Sequence, residues 1–176
     1  MKHITAPIEL KSLDEQGRFA GYASVFGMVD NQQDRVERGA FLATLRDKPV
    51  SEIKLLWQHQ MQEPIGHVER LFEDDNGLYI EGRLLLSVQR GREAYDLVKA
   101  GVLEGLSIGY RPVSYRIDPE TGVRHLLKVD LFEVSLVTFP ANEEASITVV
   151  KDSRPLPPSQ MVALSDVLSR AMQTLI

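Results

Sequence analysis

The sequence predicts a mainly β fold with flanking helices: a closed or nearly closed antiparallel β-barrel of about seven or eight strands. Three observations predict it. Short apolar or alternating runs recur through residues 1–150, polar turns rich in Asp, Gly and Pro separate them, and helical periodicity within that span is confined to two stretches. So many strands in one open sheet would leave long edges, so closure is expected. With 176 residues and 43% hydrophobic content, the chain suffices for one domain with a core.

Residues 4–10 and 19–26 lie on either side of the polar Asp14-Glu15-Gln16-Gly17, the signature of a hairpin. Residues 53–57 and 65–72 flank a polar loop containing Pro64, and residues 78–86 follow the turn Asp74-Asp75-Asn76-Gly77. Residues 106–117 and 123–139 flank Asp118-Pro119-Glu120-Thr121-Gly122, a turn with Pro early and Gly at its exit. A short run at 146–150 closes the set. Ala94, Leu97, Val98, Gly101 and Val102 recur at helical spacing with Arg92, Glu93, Asp96 and Lys99 between them, which predicts an amphipathic helix over 90–103 with Ser87 as its cap. A shorter helix is expected over 39–45.

Beyond Lys151 the composition changes to Ser153-Arg154-Pro155-Leu156-Pro157-Pro158-Ser159, an extended linker. The domain is therefore expected to occupy 1–150, and 151–176 to be a linker and tail. Met161, Leu164, Leu168, Ala171 and Leu175 form an apolar stripe on that tail, suited to docking on its own domain, pairing with a partner, or removal.

A net charge of -5 and a pI near 5.4 argue against a nucleic-acid surface, which needs clustered Lys and Arg. The chain has no cysteine, which rules out disulfides and thiolate zinc sites and fits a reducing compartment. No cofactor or metal is implied. No window approaches the roughly 18 apolar residues of a membrane span, and the N-terminus lacks a signal-peptide pattern, so a soluble, unprocessed protein is expected.

Gly105-Leu106-Ser107-Ile108-Gly109 is the chemically suggestive island, since a serine between glycines can approach a substrate backbone. It is not the strand-to-helix elbow of α/β-hydrolases, because here a helix precedes the serine and a strand follows. On the hairpin around Gly122, Ile117 paired with Val123 and no bulge would set Ser107 opposite Glu133. Pro112 marks a place where a bulge would shift that register. Glu133 is a charge within an apolar run, Leu131-Phe132-Glu133-Val134, where an unpaired carboxylate would be costly, and this marks it as a functional candidate. Of the four histidines, His3 lies near the terminus and His125 would pair near Tyr115, far from Glu133. His59, where the apolar run 53–58 emerges, is the better base; His67 reads as a strand-surface residue, and the residues separate the two only modestly. Arg111, Arg116 and backbone amides are the candidate oxyanion donors. The residues alone also leave open a non-enzymatic β-barrel module that binds a protein partner without cutting it, and an esterase-like hydrolase.

Five segments, taken in order, resemble one family. They are Phe19-Ala20-Gly21-Tyr22-Ala23-Ser24-Val25-Phe26-Gly27 with Asp30 and Asp34, Gly39-Ala40-Phe41, Trp57-Gln58-His59 with Pro64-Ile65-Gly66, residues 105–110, and residues 133–142. Together they resemble the prohead (capsid maturation) proteases of tailed bacteriophages, which are similar to the herpesvirus assemblins, serine proteases on a closed β-barrel. The resemblance implies Ser107 as nucleophile, His59 as general base and Glu133 as third member, although assemblins use a histidine in the third role. Members often carry Arg or Lys in place of His67, which favours His59. It further implies cleavage of scaffold or of the scaffolding segment of the major capsid protein, and of the protease itself, inside the prohead in the bacterial host cytoplasm. Homo-oligomerisation, through which assemblins are activated, is left open.

Overall fold

In residues 77–84 every second residue is buried, with Leu78, Ile80 and Leu84 essentially inaccessible, and this period of two makes the segment a strand packed on one face. The computed structural model describes residues 13–142 and 145–148. Within them lie β1 (Arg18–Val25), β2 (Asp34–Val36), α1 (Leu42–Asp47), a 3-10 turn (Val50–Glu52), β3 (Lys54–Trp57), β4 (Gln60–Glu73), β5 (Gly77–Leu84), α2 (Gln89–Lys99), β6 (Gly105–Ile117), β7 (Arg124–Val137) and β8 (Ile147–Thr148). Six of the strands have four residues or more; β2 and β8 are fragments.

The strands form one curled sheet in the order β2-β7-β3-β4-β5-β1-β8, with β6 also on β7. The core, which includes Phe19, Phe41, Leu55, Ile65, Leu106, Val134 and Leu136, fills its concave side. Helix α2 turns Gly91, Ala94, Tyr95 and Val98 inward, so that they pack against β4 and β5.

Two parts of the barrel expectation are corrected. The sheet is open: among the described residues there is no ladder between β8 and β6, only the isolated bridge Gly105↔Ser146 with the bonds Leu106 N–H to Ala145 O and Ile147 N–H to Glu104 O. Among the described residues β8 spans Ile147–Thr148, and both pair with β1. Nor is the sheet wholly antiparallel. Strand β6 occupies one edge of β7, and β2 and β3 share the other edge end to end, both parallel to β7. Parallel pairing needs a long connection between the paired strands, and residues 58–123, carrying β4, β5, α2 and β6, supply it between β3 and β7, while residues 37–53, including α1, link β2 to β3 along the same edge.

Smaller differences follow local chemistry. Helix α2 stops at Lys99, and Val88, which offers no side-chain cap, stands at its start in place of Ser87. The short helix lies at Leu42–Asp47 because Glu73 takes up the amides of Gly39 and Phe41, holding that stretch as a turn. The expected loop before Pro64 is a tight turn: β4 begins at Gln60, and Pro64 sits opposite Leu56 where the register shifts. The strand expected at 4–10 and the tail beyond 151 lie outside the described residues.

Candidate functional site

The long β6–β7 hairpin sets the register of the site. Its closing pair is Ile117↔Arg124, and near Pro112 a bulge in β6 is compensated by one in β7. One further irregularity, between Gly109 and Tyr110, leaves Phe132 of β7 unpaired. The net slip is two residues. Ser107 therefore faces Ser135, and Glu133 faces Gly109, a correction to the expected Ser107–Glu133 pair. An even slip preserves the face, so Ser107, Glu133 and Ser135 still lie together while Leu106, Val134 and Leu136 point into the core.

Gly109 makes the site possible. A Cβ added there would lie 2.1 Å from Glu133 Oε1 and 2.6 Å from its Cγ and Cδ, so the carboxylate occupies the space a side chain would take. Gly105 serves differently, since a Cβ there would meet Val137 O at 2.6 Å and Pro140 at 2.8 Å.

His59 is carried by the β3–β4 turn. Trp57 pairs with Gln60, and the two residues between them, Gln58 and His59, have φ of 49° and 60°, the positive values that a type I′ loop requires. Without glycine, left-handed backbone costs about 1–2 kcal/mol per residue. Three sets of bonds hold the turn to β7: Gln58 N–H to Leu136 O, the Gln58 side chain with Thr138 Oγ1 and N–H, and His59 N–H to Ser135 Oγ at 3.0 Å. Parallel pairing of β3 with residues 133–136 sets Lys54 beside Glu133 and Trp57 beside Leu136, so the turn begins past Leu136 and its amide bond to Ser135 brings His59 back toward Glu133.

His59 Nδ1 lies 2.6 Å from Glu133 Oε1. A carboxylate only accepts, so Nδ1 carries the proton and donates. Ser135 Oγ donates to the other oxygen, Oε2, at 2.8 Å. The hydrogen bond and charge of Glu133 raise the His59 pKa above its ordinary value, and burial only partly opposes them. Glu133 is 4% exposed, whereas the His59 side chain is 45% exposed. Ser107, 6% exposed, lines the same cavity of about 340 Å³ as His59, and its hydroxyl has no hydrogen-bond partner among the described residues. Histidine and carboxylate are thus joined directly, and the serine lines the histidine's cavity without a direct bond to the ring.

The far wall of the cavity is polar. Buried Asp34 (1% exposed) receives both Arg124 Nε and Nη2, at 2.6 and 2.5 Å, and the Tyr110 hydroxyl at 2.7 Å. Burial alone would raise Asp34, but the Arg124 and Tyr110 bonds outweigh it and hold its carboxyl below the usual range. Burial and the Asp34 charge push the Tyr110 hydroxyl up, so it remains a donor. Asp30, whose carboxylate takes the amides of Gln32 and Asp34, is raised by its own burial.

The other candidates lie elsewhere. His67 is half exposed beside Glu69, and His125 is buried against Glu37 and Arg116. Arg111 is engaged by Asp130, Arg116 by His125, and neither lines the cavity. The arginine that does, Arg124, carried no sequence signal. Ser135 carried one: it lies two residues from Glu133 in a strand, hence on the same face. Among the described residues no group of three or more His, Asp or Glu is placed to hold a metal ion, and no helix is long and apolar enough to cross a membrane.

Known proteins share this architecture. The structure is similar to the capsid assembly protease of bacteriophage T4 (TM-score 0.53, 13% identity, 68% of this chain and 82% of that one). It is also similar to the KSHV protease (TM-score 0.54, 15% identity, 87% and 76%). At such identities the likeness concerns the fold. In sequence, the chain is 34% identical over 140 residues to the prohead protease of Enterobacteria phage HK97, covering 78% of this chain and 61% of that protein. It is 36% identical over 152 residues to a capsid polyprotein of Pseudomonas phage PAJU2, covering 82% of this chain and 22% of the polyprotein. The chain thus spans less than two thirds of the length of either relative. Residues 6–156 match the caudovirus prohead serine protease family, a stretch that takes in the β3–β4 turn and the whole β6–β7 hairpin, and the chain belongs to that family.

Proposed function

We propose that this chain is a serine endopeptidase of phage head maturation, with Ser107 as nucleophile, His59 as general base and Glu133 as the residue that orients the base. The observation that carries the reading is the 2.6 Å bond from His59 Nδ1 to a buried carboxylate, with the unengaged Ser107 hydroxyl on the same cavity wall. With Nδ1 donating to Glu133, Nε2 is the basic nitrogen. It takes the Ser107 proton as Oγ attacks a peptide carbonyl, and Glu133 stabilises the imidazolium that forms. His59 then returns the proton to the leaving amine, and water repeats the cycle on the acyl-enzyme.

The substrates in this reading are scaffold or the scaffolding segment of the major capsid protein, and the protease itself, cut within the assembling prohead in the host cytoplasm. A relative named as a capsid polyprotein supports a capsid substrate. Residues 1–150 then form the catalytic domain, and residues 151–176 recruit the protease to its partner or are removed by self-cleavage. Co-expression with the cognate coat protein tests the reading. Cleavage should be abolished by Ser107→Ala and by His59→Ala; a binding module would leave the coat uncut and be indifferent to both changes.

A further inference from the structure

We propose that Ser135 is a positioning residue that holds both the acid and the base of the site through one hydroxyl. The inference rests on the protease reading of Ser107, His59 and Glu133. Ser135 is fully buried and directly faces Ser107 across the β6–β7 ladder. Its single proton is committed to Glu133 Oε2 at 2.8 Å, and its oxygen accepts the His59 amide at 3.0 Å. Each bond has a distinct consequence. The first stops the carboxylate from turning about its terminal bond, so that Oε1 stays on His59 Nδ1. The second takes up an amide that the positive φ of His59 turns toward β7, and so holds the glycine-free turn in the conformation that presents the ring. A hydroxyl placed for packing alone would need neither bond.

The test uses the full chain, the cognate capsid protein as substrate, a fluorophosphonate as serine-directed label, and proton NMR of the downfield resonance expected for His59 Nδ1–H. In Ser135→Ala the chain should remain folded and kcat should fall about tenfold to a hundredfold, the loss that follows small misplacement of catalytic groups. KM should stay within about twofold, because substrate contacts are untouched. The downfield resonance should disappear through exchange. Ser135→Cys fills the site but donates weakly, so its kcat should fall between wild type and Ser135→Ala; should Ser135→Ala fail to fold, this variant decides alone. Wild-type kcat with the resonance intact in the deciding variant would overturn the role of Ser135. Ser107→Ala separates the two levels: persistent cleavage there refutes the protease reading itself, whereas an inert Ser107→Ala beside a fully active Ser135 variant refutes only the positioning role.

Discussion

Gly109→Ala is the smallest change that should disable the site while leaving the fold intact. The backbone at Gly109 is not in the left-handed region, so alanine is conformationally acceptable and the effect arises from contact alone. The new Cβ would lie 2.1 Å from Glu133 Oε1, where ordinary contact begins at 3.4 Å. The carboxylate must therefore retreat by about 1.3 Å, and catalytic groups misplaced by about 1 Å lose on the order of a hundredfold in rate. A shift of that size breaks the 2.6 Å bond to His59, and with Ser135 on the other oxygen the carboxylate has no second seat of equal quality. Overpacking against a buried group such as Glu133 costs about 1–3 kcal/mol, so the domain should survive with a lowered Tm. Fluorophosphonate labelling of Ser107, followed beside circular-dichroism melting, reads both effects. A folded Gly109→Ala protein labelled at the wild-type rate would refute the view that Glu133 acts from the space beside Gly109.

His59 is raised by Glu133, so labelling should climb with pH through a value above the ordinary histidine pKa of about 6.5, and Glu133→Gln should move that limb downward. The stability consequence has the opposite slope. The pair's contribution is complete below about pH 6.5 and is lost as pH rises through the folded pKa, so the Tm difference between wild type and Glu133→Gln should shrink over that window. Asp34→Asn should lower stability by about 2–3 kcal/mol in urea unfolding, a buried-pair loss reduced because Arg124 is partly exposed. Because the Asp34 pKa is depressed, the stability it contributes is present above the ordinary carboxyl pKa and vanishes as pH falls through the folded value. Gln33, exposed at φ 63° with no side-chain bond among the described residues, should gain up to about 1 kcal/mol on replacement by glycine; a loss of stability would contradict the strain assigned there.

Much of the architecture was legible in residue patterning. Alternation located β1, β3, β5, β6 and β7 to within a few residues, and helical spacing located α2, because burial on one face imposes those periods wherever the element lies. Three-residue β2 is too short to show a period and exists only because β7 offers an edge. For the site, Ser107, His59 and Glu133 were nameable from glycine flanking, strand position, an isolated charge and resemblance. What joins them was not.

The sequence by itself determined the β-rich class and the absence of cysteine chemistry, since these depend on local composition and period, and it named the candidate trio through motifs joined to family resemblance. Tertiary structure decided the open sheet, the parallel seat of β3 on β7, and the two-residue slip that puts Glu133 opposite Gly109 and Ser135 opposite Ser107. Bulges add single residues whose places depend on packing on both sides of the ladder, and a crossover brings together residues 74 apart such as His59 and Glu133. Neither leaves a periodic trace in the chain, so the arrangement of the site emerges only when the sheet is assembled.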